Sequence, residues 1–169
     1  WLLGAYYGEG VVSVSQLADG KVSGEPVQVV ETGKKAHCIQ VAPSNRFAFT
    51  PHTGDLNKVQ QFRFDAETGE LTMNDPAKLD GAEGAGPRHL QFHPNGKWVY
   101  LVNEQSKSVT HCLYDAEKGT LTKEKTLSTH PADWDPTKGS CADIEISADG
   151  KFLYASNRGH DSIAVFGID

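Results

Sequence analysis

The sequence predicts an all-β protein, a β-propeller of four-stranded antiparallel blades of which about three are present. Similar segments recur along the 169 residues with a period near 50. The recurring segments are rich in aromatic and β-branched residues, which favour strands. No window shows the apolar stripe of an amphipathic helix. A β-sandwich is the alternative, but a sandwich would not need the same sequence three times.

The repeat is clearest in three segments that begin at His37, Arg88 and Ala142: HCIQVAPSNRFAFTPH, RHLQFHPNGKWVYLVN and ADIEISADGKFLYASN. Their starting points are 51 and 54 residues apart. A second pair, FDAETGELT and YDAEKGTLT, is separated by 50 residues. Periods of this size are typical of large propeller blades. The repeat therefore divides the chain into a partial blade 1–31, a blade 32–85, a blade 86–139 and a partial blade 140–169.

Four strands are predicted in the blade 86–139, and we name them a to d: 90–93, 98–103, 108–114 and a fourth that begins near Leu121. Asn95-Gly96 joins strands a and b and is a strong hairpin signal, with positive φ expected at both residues. Strand b, WVYLVN, carries apolar residues on both of its alternating faces. Such a strand is expected to lie between two neighbouring blades.

Two long segments, DPAKLDGAEGAGP (75–87) and STHPADWDPTKGS (128–140), have the composition of loops. Both fall between strand d of one blade and strand a of the next. Insertions at one place in a repeat collect on one face, which is often the binding face. Solvated connectors without a function are the alternative.

Antiparallel pairing brings the start of strand a and the end of strand b to the same rim of a blade. Arg88 begins strand a and Glu104 follows strand b, so we expect the two to meet. The repeat adds residues at equivalent positions, and the expected rim set is His37, Arg88, His89, Glu104, Asp143 and Arg158. Repeat positions that carry a different polar residue in each blade indicate a binding site, because a purely structural position would tend to keep the same residue. A structural ion pair between Arg88 and Glu104 is the alternative.

Two arginines and a carboxylate fit an anionic substrate, because arginine binds carboxylates and phosphates through a rigid fork of N–H groups. Arginine also stabilises the oxyanion of a tetrahedral intermediate. A histidine or glutamate beside it can activate water. The chain has no Gly-x-Ser-x-Gly nucleophile motif and no spacing of metal ligands. We therefore expect neither a metal nor a cofactor. A cation held by carboxylates and carbonyls at the propeller mouth is the alternative.

The composition argues against two classes of partner. The net charge is −6, from 16 basic and 22 acidic residues, whereas nucleic-acid surfaces are basic. No apolar stretch approaches the roughly 20 residues that span a membrane. The three cysteines, Cys38, Cys112 and Cys141, are scattered, which favours free thiols in a reducing compartment. The expected location is the cytoplasm.

The segments GPRHLQFHPNGKWVYLVNE and CADIEISADGKFLYASNRGHDSIAVF resemble the lactonase family of seven-bladed β-propellers, as do AYYGEGVVSV and FTPHTGDLNKVQQFRFD. The resemblance implies a lactone hydrolase that opens a sugar lactone in the manner of a 6-phosphogluconolactonase. A carboxymuconate lactonizing cycloisomerase and a non-catalytic binding propeller are the alternatives. The family's histidine, two arginines and glutamate fall on His37, Arg88, Arg158 and Glu104 as catalytic residues. We assign His89 and Asp143, their rim neighbours, to substrate binding.

Seven blades of this size need about 350 residues, roughly twice the length of this chain. The chain also begins at Trp1 inside a strand pattern. We therefore expect a fragment of a larger propeller, or a chain that is completed by a second chain, and we expect the fragment alone to be inactive. The expected partners are a small anionic lactone and the rest of the propeller, which would cover apolar faces of the end blades.

Overall fold

The computed structural model describes all residues from 1 to 169 and consists almost entirely of antiparallel β-sheet. The first blade contains three strands in the order β1-β2-β5, with a small β3-β4 hairpin between them. The bounds are β1 Leu2–Tyr6, β2 Val11–Ser15, β3 Leu17–Ala18, β4 Lys21–Val22 and β5 Gln28–Glu31. The structure holds no helix with the length and hydropathy needed to span a membrane.

The other three blades are simple meanders in which consecutive strands pair. The second blade comprises β6 Gln40–Val41, β7 Phe47–His52, β8 Lys58–Phe64 and β9 Leu71–Asp80, with a single 3₁₀ turn at Gly54–Leu56. The third comprises β10 Pro87–Phe92, β11 Trp98–Asn103, β12 Ser108–Asp115 and β13 Thr120–Ser128. The fourth comprises β14 Ser140–Ile146, β15 Phe152–Arg158 and β16 Ser162–Gly167. The predicted all-β propeller fold class is confirmed, while the limits proposed for each blade stay a prediction.

Apolar clusters hold the blades face to face, and β11 contributes to two of them. Val99 and Leu101 pack toward the second blade, in a cluster that includes Phe49. Tyr100 and Val102 pack toward the fourth blade, in a cluster that includes Ile144 and Leu153. Burying an aliphatic or aromatic side chain of this kind stabilises the fold by roughly 1.5–3 kcal/mol. The prediction that both faces of this strand are covered is confirmed.

The turns that join strands a and b differ from the prediction. In the third and fourth blades only the glycine of this turn has a positive φ, at 70° for Gly96 and 74° for Gly150, and in the second blade Asn45 has a φ of 54°. Pro94 precedes Asn95, and its ring fixes φ near −65°, which suits a turn that places the left-handed residue last. The Gly96 N–H donates to the carbonyl of His93 at 3.0 Å, and the Asn95 side chain accepts from the Lys97 N–H at 2.9 Å.

The prediction of a loop at 75–87 is wrong for its first half, because β9 continues to Asp80 and pairs there with Lys58. β9 is the outermost strand of its blade, and such edge strands tolerate both charged side chains and proline. That polar composition resembles a loop. The loop predicted at 128–140 is confirmed, since β13 ends at Ser128 and β14 begins at Ser140.

Candidate functional site

A β-bulge interrupts the first strand of a blade at the same position of the repeat. In the third blade the pairing register shifts between Pro87 and His89, which leaves Arg88 without a ladder partner. In the fourth blade the register shifts between Cys141 and Ile144. A bulge bends its strand and redirects side chains, and bulges are frequent beside active sites. The bulges therefore determine how Arg88 and the neighbouring residues Ala142 and Asp143 are oriented at the rim.

His37 occupies the matching position of the second blade, where the first strand is only two residues long. β6 is only Gln40–Val41, and the chain before it is fixed by an isolated bridge between Ala36 and His52. The His37 backbone N–H donates to the carbonyl of Pro51 at 2.9 Å. This short pairing leaves the His37 ring at the rim instead of within a regular strand.

Glu104 lies between the two arginines. Arg158 Nη1 donates a hydrogen bond to Glu104 Oε1 at 3.3 Å, and Arg88 Nε lies 3.7 Å from Glu104 Oε2. The Glu104 side chain is 23 % exposed, compared with 13 % for Arg88 and 49 % for Arg158. Both carboxylate oxygens thus face a guanidinium in a partly water-shielded position, where ion pairs are screened less than at the surface.

Arg88 is held in place from the fourth blade. Its Nη1 donates to the carbonyl oxygen of Ala142 and lies 3.4 and 3.3 Å from the two ring nitrogens of His89. Burial lowers the pKa of Arg88, as does the charge of Arg158, while Glu104 and Asp143 act in the opposite direction. A guanidinium nevertheless stays charged at every physiological pH. Arg88 is therefore a fixed positive charge at the rim.

His89 and Asp143 form a second pair across the same blade boundary, with His89 Nδ1 at 2.7 Å from Asp143 Oδ1. Partial burial of Asp143 opposes its ionisation, but the hydrogen bonds from His89 and from the Ile144 N–H prevail and lower the pKa of the carboxyl group. The carboxylate is therefore ionised at neutral pH and fixes the orientation of the His89 ring.

The His37 ring meets two other rings edge to face. Its centroid is 5.0 Å from that of His89 and 5.7 Å from that of Tyr7 in the first blade. Burial lowers the pKa of His37 to about 4, and the positive charges of Arg88, His89 and Arg158 act in the same direction. Its buried Nδ1 has no hydrogen-bond partner. At neutral pH His37 is therefore an uncharged imidazole.

Cys38 follows His37 directly, but its thiol is a poor nucleophile. Burial raises the pKa of Cys38 to about 12, although a hydrogen bond with the Leu90 backbone acts in the opposite direction. Because the thiolate is the reactive form, Cys38 is inert at neutral pH. Cys38, Cys112 and Cys141 are all free.

The structure brings all six predicted rim residues into one connected cluster. Its links are the ion pairs of Glu104, the contact of Arg88 with the His89 ring, the pair of His89 with Asp143, and the ring contact of His37 with His89. Gly150 lies at the other end of the strands, where its carbonyl oxygen is 2.8 Å from His93 Nε2. No group of three or more His, Cys, Asp or Glu side chains is placed to hold a metal ion.

A cleft of about 360 Å³ adjoins Glu104 on the same rim. It is lined by Tyr7, Lys35, Thr53, Gly54, Glu104, Gln105, Lys107, Gly139 and Ser140. Tyr7 and Thr53 follow strand b of their blades, as Glu104 does, so reading this repeat position in every blade would have found both. A larger cleft of about 750 Å³ lies among Arg46, Arg63 and Asp65 and contains no predicted site residue.

Comparisons with known proteins agree with the propeller fold. The family model described as lactonase, 7-bladed beta-propeller, matches residues 1–169. The chain is 35 % identical over 168 residues to the 6-phosphogluconolactonase of Pectobacterium carotovorum subsp. carotovorum (strain PC1), covering 99 % of this chain and 50 % of that protein. It is 37 % identical over 162 residues to the 6-phosphogluconolactonase of Enterobacter sp. (strain 638), covering 96 % and 48 %.

Similarity to a solved structure extends over nearly the whole chain. The periplasmic gluconolactonase of Pseudomonas aeruginosa matches with a TM-score of 0.86 at 31 % identity, covering 99 % of this chain and 49 % of that one. The chain thus spans about half the length of the relatives that it matches.

Proposed function

The chain belongs to the lactonase family of seven-bladed β-propellers, and on this premise we propose that the protein hydrolyses a sugar lactone at the propeller mouth. The observation that carries the proposal is the placement of Glu104 between Arg88 and Arg158, beside an uncharged His37. The relatives named 6-phosphogluconolactonase support a phosphorylated sugar lactone as the substrate. In this proposal the enzyme is a carboxylic ester hydrolase of carbohydrate metabolism.

Arg158 polarises the lactone carbonyl in this mechanism. Arg88 Nη1 is already bound to the carbonyl of Ala142, whereas Arg158 is about half exposed and its one hydrogen bond goes to Glu104. Arg158 therefore has N–H groups left for a substrate oxygen. A preorganised donor aimed at the developing oxyanion is among the largest contributions to catalysis of acyl transfer.

His37 accepts the proton of the attacking water. Glu104 is the alternative acceptor, but both of its carboxylate oxygens already face a guanidinium group. His37 is uncharged at neutral pH because its pKa is lowered to about 4, so it is able to accept a proton. An anionic substrate beside the ring raises the pKa of His37 from about 4 toward the working pH, where proton transfer is most effective.

The reaction then balances without a cofactor. The water oxygen bonds to the carbonyl carbon as its proton passes to His37, and the negative charge gathers on the former carbonyl oxygen near Arg158. Collapse of this intermediate breaks the bond to the ring oxygen, and His37 returns the proton to that oxygen. The product is the open-chain hydroxy acid. His89, oriented by Asp143, binds the substrate beside this centre.

We also propose that further blades cover the open faces of the end blades and that the protein is located in the cytoplasm. Val29, Ile163 and Val165 on the end blades are 56 %, 64 % and 58 % exposed, and further blades would cover them. The three free thiols support a location in the cytoplasm, although one relative is named as periplasmic. Cell fractionation tests this location directly.

The test uses the full-length gene product and 6-phosphogluconolactone, with spontaneous hydrolysis subtracted. We expect hydrolysis by the wild type and a loss of about 10²–10⁴-fold in kcat for His37→Ala, part of which added imidazole restores. His160→Ala is the control, since His160 lies outside the cluster. Absence of hydrolysis together with lactonization of a carboxymuconate would instead support the cycloisomerase, and absence of both would support a binding propeller.

A further inference from the structure

The cleft beside Glu104 carries an uncompensated positive charge. Lys35 from the second blade and Lys107 from the turn between β11 and β12 both line it. Glu104 is its only acidic lining residue, and that carboxylate is already paired with two arginines. The net charge at this part of the rim is therefore positive, although the whole chain has a net charge of −6.

Neither lysine has an ion-pair partner, yet contacts define the positions of both. The Lys107 ammonium donates to the carbonyl oxygen of Pro136 at 2.6 Å, which holds it without neutralising its charge. The Lys35 side chain crosses Gly54, where a Cβ atom would overlap it. Both lysines are half-buried. Ammonium groups that are held but not paired remain available to an anion.

The backbone at both lysines is left-handed, with φ of 65° at Lys35 and 50° at Lys107. At the position of Lys35 the next repeat has Gly86, with φ of 63°. At the position of Lys107 the neighbouring repeats have Asn57 and Asp161, with φ of 41° and 52°. Glycine, asparagine and aspartate adopt this conformation more readily than lysine does. Two lysines that accept this strain beside one cleft indicate a functional use of their charge.

The cleft also contains a polar group without a partner. Thr53 is only 3 % exposed, and its Oγ1 makes no hydrogen bond. Buried hydroxyl groups nearly always have a hydrogen-bond partner, so an unpartnered one at a cleft points to a bound molecule. Thr53 lines the same cleft as the two lysines, so its hydroxyl group is a third candidate for binding a phosphate.

We propose that Lys35, Lys107 and Thr53 bind the phosphate group of the lactone substrate and so determine its specificity for phosphorylated lactones. This inference rests on the proposed function, because it assumes that the ring of the same molecule is opened beside Glu104. A phosphate monoester carries about −1.5 to −2 charges at pH 7 and suits lysine, which binds it as a point charge. Since Glu104 lines the same cleft, a sugar bound by its phosphate here lies next to the arginines.

The test compares two lactones in the full-length gene product. Lys35→Gly and Lys107→Asn remove the charges but keep residue types that the repeat itself uses at these backbone positions. We expect the ratio of kcat/KM for 6-phosphogluconolactone to that for gluconolactone to fall at least tenfold in each variant, mainly through KM. Lys97→Asn makes the same change at the exposed opposite end and is expected to leave the ratio unaltered. Lys107→Arg keeps the positive charge and is expected to retain most of the wild-type ratio of kcat/KM values.

A second readout does not depend on turnover, namely calorimetric binding of 6-phosphogluconate and gluconate. The wild type is expected to prefer the phosphorylated acid, and the double variant is expected to lose this preference. An active enzyme whose ratio is unchanged in the double variant, or which loses both activities equally, would overturn the phosphate subsite and leave the lactonase proposal standing. A protein without lactonase activity that still prefers 6-phosphogluconate through these lysines would contradict the lactonase proposal and leave the phosphate subsite standing.

Discussion

Glu104 and Arg158 are 54 residues apart in the sequence, and a hydrogen bond of 3.3 Å joins their side chains. The same separation of 54 residues joins His89 to Asp143 at 2.7 Å and Gln91 to Glu145 at 3.2 Å. It also relates Arg88 to the carbonyl of Ala142. Equivalent positions of the repeat thus become direct neighbours in adjacent blades, which explains how a site forms from residues so distant in sequence.

The two arginines are expected to respond differently to replacement by lysine. Arg158→Lys should lower kcat/KM by about 10- to 100-fold with little change in stability, because Arg158 is half exposed. Arg88→Lys should also lower the free energy of unfolding, by about 1–3 kcal/mol, since it leaves the Ala142 carbonyl without its donor. Steady-state kinetics and urea unfolding measure the two effects. Equal stability of the two variants would contradict the anchoring role of Arg88.

His37 is expected to make the folded protein sensitive to acid. Its pKa falls from 6.5 to about 4 on folding, so the unfolded state binds more protons between these values. The stabilisation is fully present above pH 6.5 and is lost as the pH falls toward 4. After allowance for the partial exposure of the ring, we expect about 1–2 kcal/mol. Urea unfolding between pH 7 and 4 should show a loss that is larger by this amount in the wild type than in His37→Asn, because His52, His111 and His130 also have lowered pKa values and contribute equally to both proteins. Parallel curves would contradict the prediction.

Asp143 is expected to act by positioning His89. Asp143→Asn weakens the contact that orients this ring, and we expect kcat/KM to fall about 10- to 100-fold. Glu145→Gln is the matched control, because Glu145 forms the equivalent cross-blade contact with Gln91 two residues further along the strand. Similar kinetics for the two variants would mean that the pair of His89 with Asp143 only joins the blades.

The end face of the fourth blade is expected to be covered in the full-length gene product. Ile163 is 64 % exposed in this chain. If a neighbouring blade packs on it, Ile163→Ala should lower the free energy of unfolding by about 2–5 kcal/mol, as for a core isoleucine. Ile144→Ala, in the core between the third and fourth blades, provides the reference. A change below about 0.5 kcal/mol, typical of surface positions, would show that the face stays open.

The repeat made the fold and the rim predictable from the sequence. Equivalence of positions, combined with antiparallel pairing, was enough to group Arg88 with Glu104 and His89 with Asp143. The bulge that frees Arg88 could not be foreseen, since a register shift depends on pairing between strands and leaves no clear mark in composition. The extent of β9 was missed because an exposed edge strand and a loop have similar polar residues.

The cleft residues were missed for a different reason. Tyr7 and Thr53 replace the charged residues that the later blades carry at the same position, so their chemistry gave no signal in isolation. Lys35 and Lys107 are two among many surface lysines in the sequence. Their left-handed backbone, their unpaired charges and their shared cleft become visible only in three dimensions.

Glu104, held by two arginines, is predicted to be required for lactone hydrolysis. The most direct measurement is the rate of 6-phosphogluconolactone hydrolysis by the full-length gene product with and without Glu104→Gln, with Glu124→Gln as an exposed control. We predict a loss of about 10²–10³-fold for Glu104→Gln, because Arg158, the proposed oxyanion donor, loses the carboxylate that positions it, and no loss for the control. Hydrolysis at the wild-type rate by a folded Glu104→Gln variant would contradict the account and leave Arg88 and Glu104 as a structural ion pair.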